Sequence, residues 1–112
     1  FSDDFIRTHQ AELEGHMQRT LTQVTPRFAY ERHFQATLTL RVFKQLKEIT
    51  APTLIVTGKD DILIPAANSE ILAREIPGAE LAMLDNAGHG FFISARDRFV
   101  PIFKELLALK SL

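Results

Sequence analysis

The sequence predicts an α/β fold in which a helical first half leads into a βαβα unit with parallel strands. Three observations carry that prediction. Apolar residues recur at helical spacing through roughly residues 3–49, the period then changes at the β-branched run "TLIVT", and from there strand, polar loop and helix alternate twice.

Residues 3 to about 22 are expected to form one amphipathic helix, because Ile6, Leu13, Met17 and Leu21 follow one another at steps of seven, four and four. Ser2 reads as its N-cap, with Asp3 and Asp4 in the first turn. A second helix is expected from about 26 to 40, with Thr25 as cap, Pro26 at the first helical position, and Tyr30, Phe34 and Leu38 recurring every four residues. A short third helix should place Val42, Phe43, Leu46 and Ile49 on one face and stop before Pro52. "TLIVT" is then a strand bounded by Pro52 and Gly58, and "AANSEILAREI" a helix with Ala67, Ile71, Leu72 and Ile76 inward, ended by Pro77 and Gly78. "AELAML" is the second strand and "DNAGHGFF" a loop. "ARDRFVPIFKELLALK" is the closing helix, with Phe99, Phe103, Leu106 and Leu107 inward and Pro101 tolerated in its first turns.

Composition narrows the function classes. Thirteen Lys and Arg against fourteen Asp and Glu give a net charge of −1 without charged blocks, so nucleic acid is not an expected partner. The chain has no cysteine, which removes thiolate nucleophiles, disulfide scaffolds and Cys-based zinc sites. Its apolar runs fall far short of the roughly 20 residues that span a bilayer, so no membrane association is expected, and a cytoplasmic location is the default. The opening "FSDDFIR" lacks an initiator methionine and already carries helix-start chemistry, so the 112 residues are expected to be part of a longer chain. Two parallel strands lead to the same expectation. Parallel sheets are normally larger and covered on both faces, and a bare edge offers a route to self-association.

Reactive loops in open α/β sheets lie at the carboxyl ends of the strands. Asp60 and Asp61 follow the first strand here and His89 follows the second. Neighbouring strands lie about 5 Å apart, so the two loops can bring a carboxylate to an imidazole and fix its tautomer. The alternatives are a turn and helix cap for the acids, and a backbone-bonded loop residue for a histidine between Gly88 and Gly90. Asp60, Asp61 and Asp85 could instead hold Mg²⁺ in a phosphate-handling domain, although no Gly-rich phosphate loop accompanies them. His9, His16 and His33 read as solvated helix positions; His9 and His16, seven apart, would share a face without a third ligand, so no metal site is expected. Met17, Met83 and the phenylalanines read as core.

"ITAPTLIVTGKDDILIP" followed by "AREIPGAELAMLDNAGHGFF" resembles the C-terminal part of the α/β-hydrolases, over residues 46 to about 107. The family shows a strand ending in Gly-x-x-Asp, then a proline, and later a Gly-His pair. The resemblance puts the catalytic acid on Asp61, counted from Gly58, and the histidine of a Ser-His-Asp triad on His89 after Gly88. It also implies that residues 1–45 are a helical cap-like segment and residues 46–112 the C-terminal part of the core. Phe91 and Phe92, directly after the histidine loop, are candidates for lining a substrate pocket, with core packing as the alternative.

Two departures stand beside the resemblance. The family often carries an acid and then a proline shortly after the histidine, where this chain has Ser94 and Arg96 before Asp97 and Phe99. Ser2, Ser69, Ser94 and Ser111 also lack the Gly-x-Ser-x-Gly frame of a nucleophile elbow, which in this family precedes the acid and the histidine. The resemblance therefore implies that the intact enzyme hydrolyses an ester, lactone or similar bond of a small molecule without a cofactor, while this chain alone is inactive. The rival is a non-catalytic binding or assembly module with a vestigial Asp61 and His89 pair.

Overall fold

A computed structural model describes residues 1–109; the expected last residue of the closing helix, Lys110, and Ser111 lie outside them. The helical half comprises α1 (Asp3–Thr8), α2 (Gln10–Leu21) and α3 (Arg27–Thr39), followed by a 3₁₀ helix at Phe43–Glu48. Then come β1 (Leu54–Gly58), α4 (Ala66–Glu75), β2 (Glu80–Leu84), the short α5 (Phe91–Ser94) and α6 (Arg96–Leu109).

The two strands pair in parallel, from Leu54 opposite Glu80 to Gly58 opposite Leu84. A parallel pair needs a crossover, and α4 supplies it. The ladder continues past both strand ends: Glu80 N–H donates to Thr53 O, and Lys59 N–H to Leu84 O, each at 2.9 Å. Leu84, Ala87 and Ala95 form a small core at the carboxyl end of the sheet, with Val56, Phe91, Phe99 and Ile102 packed against it.

Several elements depart from the periodicity. The first helix breaks at His9 (φ −124°, ψ 35°). There Thr8 Oγ1 donates back to Asp4 O at 2.8 Å, a bond that competes with helical continuation, and the His9 ring stacks on Phe5 at 4.2 Å. His9 and His16 consequently do not share one continuous helix. Pro26 is itself the N-cap of α3, with extended backbone (φ −55°, ψ 139°), rather than its first helical residue. The third helix is 3₁₀, and of its apolar residues Leu46 is buried while Val42 and Phe43 are exposed. In α4 the inward position is Ser69, Leu72 is exposed, and Ala67 also faces outward. Pro101 sits inside α6, where it cannot donate to the carbonyl of Asp97, and Phe103 and Leu107 are exposed.

The largest difference concerns the rows expected to be buried in the first half. Met17, Leu21, Phe28, Tyr30, Phe34 and Leu38 are all more than half exposed. Helical spacing identifies an apolar face, but a face is buried only where something packs on it, and nothing among the described residues covers these rows.

Candidate active site

β1 ends in Gly58 because the turn after β2 passes directly over it. A Cβ at this position would lie 2.1 Å from the carbonyl oxygen of Ala87. Close approach, not backbone conformation, therefore demands glycine there. The same proximity lets Asp60 N–H donate to Ala87 O at 3.0 Å, so the two post-strand loops are joined by main chain before any side chain is considered.

Asp61 stands at the inner end of this junction. Its Oδ1 accepts from the backbone N–H groups of Leu63 and Ile64, both at 2.9 Å, folding residues 61–64 around the carboxylate. Its Oδ2 lies 2.9 Å from His89 Nδ1, and the Asp61 side chain is only 5% exposed. Burial pushes the Asp61 carboxyl upward, but the Ile64 N–H, the His89 ring and the Leu63 N–H outweigh it and hold the acid below its ordinary value. Asp61 is therefore ionised at neutral pH and can only accept. The shared proton belongs to Nδ1, an arrangement in which the neutral tautomer has Nε2 as its basic nitrogen. No described residue hydrogen-bonds Nε2, and about half of the His89 side chain is exposed.

His89 is presented by a tight loop. Asn86 takes a left-handed conformation (φ 49°) to start it, and Phe91 N–H donates to Gly88 O at 3.1 Å to close it. Asp85, at the end of β2, pairs with Lys59 Nζ at 2.6 Å, and its carbonyl accepts from Arg98 Nη1 at 2.6 Å. The ion pair raises the Lys59 ammonium and lowers the Asp85 carboxyl.

The sequence candidates thus separate. Asp61 and His89 come together, whereas Asp60 makes its loop contact through the main chain and lines a cavity of about 420 Å³ with Phe1, Ser2, Asp3, Asp4, Ile62 and Asn86. Asp61 is engaged with His89 and Asp85 with Lys59, so the three carboxylates do not converge as a cation cage would require. Phe91 packs into the core and meets Phe99 edge-on at 5.5 Å, while Phe92 is 54% exposed. Among the described serines, Ser2 caps α1, Ser69 is buried in α4, and Ser94 Oγ donates to Gly90 O at 3.3 Å; none hydrogen-bonds His89. The turn role named as the alternative for the acids falls on Asp61 itself, which accepts from Leu63 and Ile64 through Oδ1 while Oδ2 meets His89, so the two roles are not exclusive. Sequence reasoning missed the Lys59–Asp85 pair, for which sequence spacing offers no signal.

Comparison with known proteins identifies the fold. The chain is 31% identical over 105 residues, 94% of its length, to the "Putative carbamate hydrolase RutD" of Stutzerimonas stutzeri. It superposes with a TM-score of 0.72, at 25% identity and over 93% of its length, on Est816, described as an N-acyl homoserine lactone degrading enzyme. The fold is that of the α/β-hydrolases, matched over their C-terminal portion. A further α/β-hydrolase, from a Medee basin deep-sea metagenome library, has the same fold over 96% of this chain with a TM-score of 0.77. No protein-family model matches the chain. The chain spans 40% of the length of the Stutzerimonas relative and 42% of Est816, consistent with the C-terminal portion of an α/β-hydrolase.

Proposed function

We propose that Asp61 and His89 are the acid and base of a Ser-His-Asp triad in a longer α/β-hydrolase polypeptide. The supporting observation is the 2.9 Å bond from His89 Nδ1 to Asp61, whose side chain is almost wholly shielded from solvent and whose other oxygen is already clasped by backbone. In this reading a serine supplied by residues outside this chain attacks a carbonyl carbon. His89 Nε2 takes the serine proton as the carbon–oxygen bond forms, then delivers it to the leaving group; a water repeats the sequence to release the acid. Asp61 holds the ring in the required tautomer and stabilises its cation. The chemistry requires no cofactor. Relatives named as a putative carbamate hydrolase, a poly(3-hydroxyalkanoate) depolymerase and an N-acyl homoserine lactone degrading enzyme support an ester, lactone or carbamate as the bond cleaved. Phe92, exposed and three residues after His89, is the better placed of the two phenylalanines to meet a substrate. Residues 1–45 serve as the cap and residues 46–112 as the closing part of the core.

The test uses the longer polypeptide and this chain side by side on a p-nitrophenyl ester. The longer form should turn over and lose activity on His89→Ala, whereas the 112-residue chain should not exceed buffer. Turnover by the chain alone, abolished by His89→Ala, would refute the division of the triad.

A further inference from the structure

The two glycines that flank His89 raise a question that the triad does not answer. Gly78 has a left-handed backbone (φ +70°) that explains its identity, but neither Gly88 nor Gly90 has a positive φ. Conformation therefore does not require glycine at either place. Space does. A Cβ on Gly88 would lie 2.9 to 3.0 Å from the backbone C, N and O of Phe1, and one on Gly90 would lie 2.5 Å from Phe1 Cε1. A Cβ essentially never lies closer than 3.0 Å to a non-bonded heavy atom, and the Gly88 clash is with main chain that no rotamer change relieves.

Phe1 is in turn held from the other side. Its ring stacks on Phe5 at 5.2 Å, Phe5 is buried and stacks on His9 at 4.2 Å, and the buried Ser2 caps α1 at Phe5 N–H. The start of the helical segment is thereby anchored, and its first residue lies across the histidine loop on both sides of His89. We propose that Phe1 is a positioning residue for His89. By filling the room left by Gly88 and Gly90 it fixes the loop that holds the imidazole against Asp61. The proposal deepens the triad reading and rests on it for its functional meaning, although the contact it concerns is independent of turnover.

The experiment reads the imidazole itself, in the 112-residue chain labelled with ¹⁵N-histidine. The His89 ring signals are identified by their loss in His89→Gln, and Asp61→Asn defines where they move when the bond to Asp61 is gone. Phe1→Ala removes the ring from Gly90, and Gly90→Ala drives it away. Both should shift the His89 signals toward the Asp61→Asn position while the His16 and His33 signals stay in place. Phe28→Ala, on the exposed face of α3, should leave all of them unchanged. A shift on Asp61→Asn with none on Phe1→Ala or Gly90→Ala would overturn the role of Phe1 alone. No shift on Asp61→Asn would overturn the pair, and the role of Phe1 with it.

Discussion

Asp61 uses its two oxygens for different tasks: Oδ1 takes two backbone N–H groups of its own loop and Oδ2 takes His89 Nδ1 at 2.9 Å. Such a carboxylate is oriented by its own loop before the histidine arrives, a preorganisation that an orienting acid requires.

Asp61→Asn keeps the shape but presents either a weaker acceptor or an amide donor to Nδ1, which disfavours the tautomer with a basic Nε2. In the longer enzyme it should lower kcat by about 10³- to 10⁴-fold. Asp60→Asn, whose loop contact is through its main-chain N–H, should stay within a few-fold. Steady-state kinetics on one ester substrate distinguishes the two, and equal losses would mean that the wrong acid has been assigned.

The lowered Asp61 acid also predicts a pH dependence of stability. A carboxyl with a depressed folded value binds fewer protons folded than unfolded, so its contribution is fully present above the ordinary aspartate value of about 3.9 and is lost as pH falls through the folded value below it. Urea unfolding from pH 6 to pH 2 should show wild type and Asp61→Asn converging at the acid end. At pH 6 the variant should be less stable by about 1–3 kcal/mol, as for a buried acceptor that loses charge-assisted bonds.

The sequence made the βαβα unit legible because each signal there is local: a β-branched run, a glycine at the strand end, a Pro-Gly stop. Parallel pairing made it legible that Asp60 or Asp61 could meet His89 at the carboxyl end of the strands, and the resemblance counted from Gly58 chose Asp61. The helical half was legible only in kind. Spacing marks Tyr30, Phe34 and Leu38 as one face, yet what covers a face is a tertiary fact. The break at His9 depends on a Thr8 hydroxyl and a stacked Phe5 ring, and the fit of Phe1 against Gly88 and Gly90 depends on how a remote segment docks.

Gly58 offers a test of the junction that is separate from the acid. A methyl group there would meet the Ala87 carbonyl oxygen at 2.1 Å; Gly58 is fixed opposite Leu84 at the strand end, and the Ala87 carbonyl is held by Asp60 N–H. Gly58→Ala should cost about 3 kcal/mol or more, toward the severe end for single substitutions, because the strand end must move. The same variant should disturb the Asp60-to-Ala87 bond and, through it, the approach of the two loops. Denaturant unfolding beside Gly15→Ala, whose added Cβ meets only the end of the Arg19 side chain at 3.5 Å, supplies the comparison. Equal stabilities would show that the turn after β2 does not press on β1.

The exposed apolar rows of α2 and α3 predict the behaviour of the isolated chain. Phe28 and Phe34 are 63% and 51% exposed, and Leu21 and Leu38 are similarly open, even with the Arg32 guanidinium lying over the Phe28 ring at 6.0 Å. Apolar surface of this kind associates when nothing else covers it, at roughly 25 cal/mol for each Å² removed from water. The free edges of the two-stranded sheet offer a second route. Sedimentation of the chain should show species heavier than a monomer, and Phe28→Glu with Phe34→Glu should shift the distribution toward the monomer. If the double variant sediments unchanged, pairing at the sheet edge carries the association, and a proline at Ile55 in β1 should then reduce it.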